Sequence, residues 1–405
     1  MSRACRTWGP RAVAVGTAMV LGAAMPIAAA AGSPSATGAS GGTQTTAPPA
    51  TIPAADAPDP TAVPAIVDPA ARLAGVLQQA VSKGSHTRFG ATDEQGRQLA
   101  GLDVVPDPDG AGYLGVYFWP TGPGPADYAV SLGESDDLLT WHRIIDLDVD
   151  GGNMPVIHRL PGDAGFLVAF EDYREVVAAR TARSSLRIRH YADRAALASN
   201  RWAAERILPR TLSPTNEGTP EITAVNWGRG ASDSVVRIGF HYNARGRGVD
   251  RHAEGRLVGF SDWSAAPDEE TGVRLKAAGF AASHGKRSRF YVDGRPWELR
   301  EAQRVPGDFS TWSLLLTDPV SGQGSPLALA APRGPLASVG VPSVSVVPAP
   351  AGGGEALFAS GYVFGALLGG PVLTWTPLPA STAKVPPRPF PARKAARKAF
   401  DADRR

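Results

Sequence analysis

The chain has 405 residues, a formal net charge of +3 and a single cysteine, Cys5. The charge is unevenly spread: residues 376–405 carry a surplus of +6 and the first eleven residues one of +3, which leaves about −6 for the body. A mildly acidic body excludes a nucleic-acid-binding surface by composition. Because Cys5 is the only cysteine, disulfides and thiol chemistry are excluded from the body, and a domain of about 300 residues must be held by its own core.

Residues 1–31 have the composition of a secretory signal peptide, so we expect a secreted, extracellular protein. A basic stretch with Arg3, Arg6 and Arg11 precedes the apolar run AVAVGTAMVLGAAMPIAAAA at 12–31. Pro26 and the small residues near the end of the run favour cleavage. A retained membrane anchor stays open as the alternative, because the run is almost long enough to span a bilayer.

Residues 32–65 are rich in Ala, Pro, Thr, Ser and Gly, which predicts a disordered linker. The segment 66–98 contains the one convincing amphipathic helix, between Asp68 and Gly84. Asp68 suits the N-cap, Pro69 suits the first turn and Gly84 suits the stop. The apolar residues that share one stripe of this helix are Leu73, Val76, Leu77 and Val81.

Beyond residue 90 the pattern changes to short apolar or alternating runs separated by Gly, Pro and Asp, which predicts strands and turns. Examples are YLGVYFW at 113–119 and VVRIGFHY at 235–242. The fold class is therefore all-β, with a short N-terminal helix.

Two markers repeat along this region. Successive intervals of 61, 61, 49 and 63 residues separate five tryptophans, namely Trp141, Trp202, Trp263, Trp312 and Trp375. Upstream of each lies a second marker: GLDVV at 101, NMPVI at 153, GTPEI at 218, GFAAS at 279 and GVPSV at 340. Five units of about sixty residues, each with a Trp-bearing turn into its fourth strand, predict a five-bladed β-propeller over 99–376. Unit four is the weakest, because RFYVDGRPWELREAQ predicts a hairpin and no clear inner strand.

The leading residues of the first strands should converge on the propeller axis, where a ligand site can form. These residues are Asp103 in unit one, Asn153 in unit two, Glu217 and Glu221 in unit three, Ser283 and His284 in unit four and Ser343 in unit five. His241 and Tyr242 end a strand beside the loop NARGRGVDRH, which is either a binding loop or a solvated one.

The chain resembles the secreted five-bladed propellers of the arabinanase and β-xylosidase type, which are glycoside hydrolases. The resemblance rests on Asp103 ten residues before Tyr113, on NEGTPEI, and on SDDLLTW with Asp137 and Trp141. It implies that Asp103 is the general base and Glu217 the general acid of glycosidic bond hydrolysis. We assign Asn153, Asn216, Glu221 and His241 to substrate binding.

The sequence departs from the family pattern at three places. Val156 stands where the family has a third acid, with Glu171 or Asp172 as substitutes at the far end of the following strand. Thr219 lengthens the Glu-Gly-Pro motif by one residue, and Val104 follows Asp103 where the family has proline. A structural role is the alternative for each acid: Asp103 would bond a neighbouring blade, and Glu217 would cap a turn while Asn216 forms an Asx-turn.

Three functions stay open: a hydrolase acting on an extracellular polysaccharide, a binding module for poly- or oligosaccharides, and a protein-interaction propeller at the cell surface. We expect a monomer with no cofactor and no metal in the site, leaving room for a structural calcium ion. The Pro-rich basic tail at 377–405 is either solvated or in contact with anionic cell-wall or membrane surfaces.

Overall fold

The computed structural model describes residues 68–379 apart from 125, 179–180, 245–248, 323, 332–333, 337, 351 and 365–368. The predicted signal peptide, the linker and most of the basic tail lie outside these residues. The predicted leading helix is confirmed as α1 (Pro69–Lys83). The Asp68 carboxylate accepts a hydrogen bond from the amide of Ala70 at 3.0 Å, and Gly84 ends the helix with a left-handed φ of 69°.

The described residues form five four-stranded antiparallel sheets, which confirms the all-β fold and the five blades. Strand β1 (Thr87–Phe89) follows α1. Blade one consists of β2 (Ala100–Pro106), β3 (Tyr113–Pro120), β4 (Tyr128–Ser135) and β5 (His142–Asp148). Blade two consists of β6 (Gly152–Arg159), β7 (Phe166–Ala178), β8 (Thr181–Tyr191) and β9 (Ala204–Leu208), with helix α2 (Arg194–Ala198) between the last two.

Blade three consists of β10 (Glu217–Asn226), β11 (Val235–Asn243), β12 (Asp250–Val258) and β13 (Asp262–Pro267). Helix α3 (Glu269–Ala277) connects it to blade four, which consists of β14 (His284–Val292), β15 (Arg295–Gln303), β16 (Trp312–Thr317) and β17 (Gly324–Leu327). After the two short strands β18 (Ala330–Ala331) and β19 (Gly334–Pro335), blade five contains β20 (Val339–Pro348), β21 (Glu355–Val363) and β22 (Gly370–Pro377).

The sheets close into a ring. Each inner strand contacts the inner strand of the next blade, in the order β2, β6, β10, β14, β20 and back to β2. The fourth strand of blade five is β1, which pairs with β22 through Thr87 and Thr374, so the sheet joins the beginning and the end of the propeller. The hydroxyl groups of these two threonines lie 2.8 Å apart. Radial closure of this kind leaves only short strand edges.

Two details of the predicted repeat are wrong. The inner strand of blade four is HGKRSRFYV (β14), the first arm of the predicted Asp-Gly hairpin, whereas GFAAS lies in the connection before it. Trp312 and Trp375 lie in β16 and β22, the third strands of their blades, and not at a turn into the fourth. Trp141 behaves as expected: it is buried and its ring packs with core residues between blades five and one.

The cores lie between neighbouring blades, at the interfaces that we call seams. Four seams are filled by apolar clusters, for example Ile188 of blade two against Ile238 of blade three. The other clusters fill the seams between blades one and two, four and five, and five and one.

The seam between blades three and four is different. Among the described residues it is built from charged side chains of β10, β12, β14 and β15, and we call it the ionic seam. Gly239 of β11 makes room for it, because a Cβ there would overlap the guanidinium group of Arg287.

Candidate functional site

Each inner strand carries a β-bulge at the same position, and β10 has a second irregularity between Ile222 and Ala224. In blade one the pairing with β3 shifts between Ala100 and Asp103, and the other four blades shift at equivalent places. The residues that follow the bulge are therefore equivalent: Asp103, Val156, Glu221, Arg287 and Ser343. All five line one cavity of about 410 Å³, which we call the axial cavity.

The bulges place several residues in left-handed backbone conformations. Met154, Thr219 and Val341 have φ values of 48°, 46° and 53°. Such conformations are costly for residues other than glycine and persist where the surroundings hold them. Here the amide of the left-handed residue itself is held each time by a side-chain oxygen, as when the amide of Met154 donates to Asn153 Oδ1 at 2.8 Å.

Lys286 occupies the bulge of blade four and reaches the axis. Its ammonium group is buried and donates to the carbonyl oxygens of Gly101 at 3.3 Å and Pro155 at 3.5 Å. Burial lowers the pKa of Lys286, against the opposing pull of Asp103 and Glu301. One side chain thus ties three blades together at the axis.

Asp103 lies in the axial cavity with both carboxylate oxygens engaged. Its Oδ2 accepts a hydrogen bond from the amide of Ile157 at 2.8 Å, and its Oδ1 accepts one from the hydroxyl of Ser343 at 2.5 Å. These bonds reach both neighbouring blades, which is the structural alternative considered for this residue. The carboxylate also lines the cavity, so it is placed to contact a ligand as well.

Glu217 lies apart from the axial cavity. Its side chain is buried, and its Oε1 accepts hydrogen bonds from the amides of Thr211, Leu212 and Ser213 at 2.8, 2.6 and 3.1 Å. The carboxylate therefore holds the loop before β10, as the turn-capping alternative expected. Asp103 and Glu217 do not line the same cavity. Their assignment as a catalytic pair stays a prediction.

Glu221 is the carboxylate of blade three that shares the axial cavity with Asp103. Its Oε2 lies 2.7 Å from Nε of Arg287. Burial raises the pKa of Glu221 above its usual value, although Arg289 and Arg287 act in the opposite direction. Thr219 lies in the bulge of blade three, with Glu217 before the bulge and Glu221 after it.

Asn153 and Asn216 precede the bulges of β6 and β10, His241 lies in β11, and all three lie outside the lining of the axial cavity. Asn153 is buried opposite Glu171, because the antiparallel hairpin brings the far end of β7 back beside the start of β6. His241 Nδ1 lies 2.8 Å from the hydroxyl of Thr219. Asn216 forms no Asx-turn; instead its backbone N–H donates to the hydroxyl of Ser213 at 3.0 Å.

Glu171 and Glu301 form a second group of buried carboxyls on the side of the axis where the inner strands begin. Glu171 accepts a hydrogen bond from the amide of Thr219, and Glu301 accepts those of Lys286 and Val341. Burial raises the pKa of both groups, while nearby His241 lowers it. A Cβ on residue 218 would overlap the Glu171 carboxylate, so the residue after Glu217 must be glycine.

Sequence reasoning missed the cationic side of the axis, namely Lys286, Arg287 and Arg289. These residues lie in HGKRSRFYV, a strand whose three closely spaced cations do not resemble an inner strand. The ionic partners Glu254 and Glu298 lie in other strands, and spacing gives no hint of them. Within the described ranges no group of three or more His, Cys, Asp or Glu is arranged to hold a metal ion. The described helices also include none that is long and apolar enough to cross a membrane.

No protein-family model and no curated protein sequence matches the chain. Among solved structures, α-L-arabinofuranosidase from Lactobacillus brevis matches at a TM-score of 0.43 and 11% identity, over 75% of this chain and all of that one. Penicillium chrysogenum α-L-arabinanase with arabinobiose matches at 0.41 and 14%, over 72% of this chain and 97% of that one. With TM-scores this low, the similarity says nothing about activity or ligand. The five-bladed fold is established by the strand pairing and the closed ring of inner strands.

Proposed function

We propose that the protein is a carbohydrate-binding propeller whose axial cavity holds part of a poly- or oligosaccharide. The observation that carries the proposal is the mixed polar lining of this cavity, in which Asp103, His158, Ser345 and Arg289 converge from four blades. Sugars present many hydroxyl groups that both donate and accept, and a cavity with carboxylate, imidazole, hydroxyl and guanidinium groups can match them. Its volume of about 410 Å³ is within the range of small-molecule sites.

We further propose that binding occurs without hydrolysis by Asp103 and Glu217. A general acid must reach the leaving oxygen with a proton to donate. The Glu217 carboxylate instead accepts three backbone hydrogen bonds from the loop before β10 and lies outside the lining of the axial cavity. Val156 offers no carboxyl at the equivalent position of blade two.

Glycan binding is tested by screening the purified protein and its Asp103→Ala variant on a panel of arabinan, galactan, xylan and their oligosaccharides. We expect at least tenfold weaker binding for the variant, because Asp103 is the carboxylate of blade one in the cavity. Asp137→Ala is the matched control, since Asp137 caps the turn before Trp141 and lies outside the cavity lining. Equal binding by the parent and Asp103→Ala, or retention of no glycan by the parent, contradicts the proposal.

Glycoside hydrolysis is a second candidate because of one observation: Glu221 is a buried carboxyl with a raised pKa in the same cavity as Asp103. A raised pKa suits a general acid, and Asp103 would then be the base. If the parent releases product from a glycan, Glu221→Gln should reduce kcat at least a hundredfold while Glu217→Gln leaves it nearly unchanged. The reverse result restores Glu217 as the acid, and turnover by neither parent nor variants removes this candidate.

The location is also a proposal: we infer that the protein acts outside the cell, on the composition of residues 1–31. Sequencing the N-terminus of the protein recovered from culture medium tests this inference. A mature N-terminus near residue 32 supports it, and a full-length protein in the membrane fraction supports the retained anchor.

A further inference from the structure

A second cavity, of about 340 Å³, opens at one end of the ionic seam. Its walls come from the end of β11, the start of β12, helix α3 and the start of β14. We call it the seam pocket. Its polar lining consists of Tyr242, Arg251, His252, Asp268, Glu269, Lys276 and His284. Phe280, Val273 and Pro267 add apolar surface.

His284 is the most informative group in the seam pocket. It is 2% exposed, and its Nδ1 has no hydrogen-bond partner among the described residues. Burial, helped by the charges of Arg251 and Arg300, lowers the pKa of His284 to about 3, so the ring is neutral near pH 7. A hydrogen bond to the Phe280 backbone acts in the opposite direction. Since Nδ1 has no partner, this bond is assigned to Nε2, which donates it in the neutral ring. Nδ1 is therefore a buried acceptor that lacks a donor.

Two other walls of the seam pocket carry cations, Arg251 of β12 and Lys276 of α3. Arg251 is held in place because its Nη1 donates to the carbonyl oxygens of Asp250 and Ala282 at 2.9 and 2.7 Å. Both of these bonds use one nitrogen, so further donors of the guanidinium fork are left for a ligand. Lys276 lies on the exposed side of α3 and lines the same pocket.

Two carboxylates also line the pocket, and they are differently engaged. Asp268 caps α3 by accepting from the amide of Thr271 at 3.2 Å, and its Oδ2 lies 3.9 Å from Nη1 of Arg287. Glu269 belongs to the exposed first turn of α3. Carboxylates in these positions can accept hydrogen bonds from ligand hydroxyl groups.

We propose that the seam pocket binds a small hydroxylated carboxylate, such as a sugar acid. Its carboxylate pairs with Arg251 and Lys276, one hydroxyl donates to Nδ1 of His284, and its carbon skeleton packs on Phe280. Each group of the ligand matches a specific feature of the wall. The carboxylate matches the positive charges of Arg251 and Lys276, and the hydroxyl donor matches the unpartnered Nδ1 of His284. A simple carboxylate lacks the donor and a neutral sugar lacks the charge, so neither should bind as well. The site is separate from the axial cavity.

Isothermal titration of the full chain with glucuronate, glucose and acetate at constant ionic strength tests the proposal. We expect glucuronate to bind at least tenfold more tightly than either of the others. Lys276→Gln should weaken glucuronate binding roughly fivefold, as the loss of one partly solvated ion pair does. Arg274→Gln is the matched control, because it removes the same charge from the same helix at a residue outside the pocket lining; it should change the affinity less than twofold.

Four outcomes overturn the proposal: no saturable glucuronate binding, glucose or acetate binding equal to that of glucuronate, an equal loss in Arg274→Gln and Lys276→Gln, or loss of binding in Asp103→Ala. Asp103 contacts blades two and five at the axis and lies outside the lining of the seam pocket, so the folded variant should retain the seam pocket's affinity. Since glycan binding at the axis depends on Asp103 and binding in the seam pocket does not, the two proposals fail independently.

Discussion

The seam between blades two and three and the seam between blades three and four solve the same packing problem in opposite ways. The first is filled by buried aliphatic and aromatic side chains such as Ile188, Ile238 and Phe240. The second is filled by Arg287, which lies 2.7 Å from Glu221 and 2.7 Å from Glu254. An apolar seam is stabilised in proportion to its buried area, whereas a buried ion pair must first offset the cost of removing both charges from water.

The ionic seam extends beyond these three residues. Arg289 reaches Glu254 at 2.7 Å and Glu298 at 2.9 Å, and Arg300 also pairs with Glu298. Each carboxylate therefore serves more than one guanidinium group. Such a seam adds little net stability over apolar packing, but it is intolerant of losing a single member. The difference teaches that blade four is joined to blade three by directional contacts and to blade five by the apolar cluster around Leu316.

The largest expected effect comes from Glu298→Gln, which leaves Arg289 and Arg300 without their shared carboxylate. We expect a loss of about 3–5 kcal/mol in the free energy of unfolding, the usual cost of an uncompensated buried charge. Urea unfolding followed by tryptophan fluorescence measures it. A loss below about 1 kcal/mol would contradict the expectation that the ionic seam is intolerant of losing a member.

Acid should weaken the ionic seam selectively. Arg300, Arg289 and Arg287 outweigh the effect of burial and lower the pKa of Glu298 from 4.5 to about 2. Since the folded pKa lies below the unfolded one, the stabilisation is present above about pH 4.5 and is lost as the pH falls towards 2. The shift corresponds to at most roughly 3 kcal/mol. Unfolding free energies measured across this range should fall more steeply for the parent than for Glu298→Gln, and parallel curves would contradict the assignment.

Gly239→Ala probes the fit of the ionic seam without removing a charge. The added Cβ would overlap the Arg287 guanidinium and displace it from Glu221 and Glu254. We expect a loss of roughly 2–3 kcal/mol in unfolding free energy, in the range of overpacked cores. Gly230→Ala is the control, since no atom lies within 4 Å of its added Cβ. Equal stability of both variants would show that Arg287 moves aside at no cost.

Ile188→Val should have the smallest effect and define the behaviour of the apolar seam. Removing one methylene group from this buried side chain should cost about 1 kcal/mol, independent of pH between 3 and 7. Urea unfolding at both ends of this range measures it. A strong pH dependence of this cost would mean that the two seams are not separate in the way proposed.

The fold was largely predictable because blade count depends on local regularities. Apolar strands, turn residues and the helix between Asp68 and Gly84 leave direct traces in the sequence. Helix α3 was missed although Asp268 at its N-cap and Arg274 and Lys276 in its last turn are ordinary helix signs. Nine residues with little apolar periodicity gave too weak a pattern.

The site was less predictable, since bulges and long-range pairs decide it. NEGTPEI contains two glutamates, and their spacing does not indicate that Glu221 and not Glu217 lines the axial cavity. Glu171 lies eighteen positions after Asn153 and yet faces it across a hairpin. The inner strand of blade four went unrecognised because its arginines face carboxylates of blade three and of the adjacent strand β15. Only the assembled ring makes such a strand energetically reasonable.

The way in which β1 completes blade five has a mechanical consequence. Thr87, at the start of β1, pairs with Thr374 near the end of β22, so both ends of the described chain leave this strand pair at the same end. A force pulling those ends apart would load the pair's hydrogen bonds one after another, as in a zipper, and not all together in shear. Once α1 has detached from blades four and five, we therefore expect the ring to open first between β1 and β22, while the other blades remain folded.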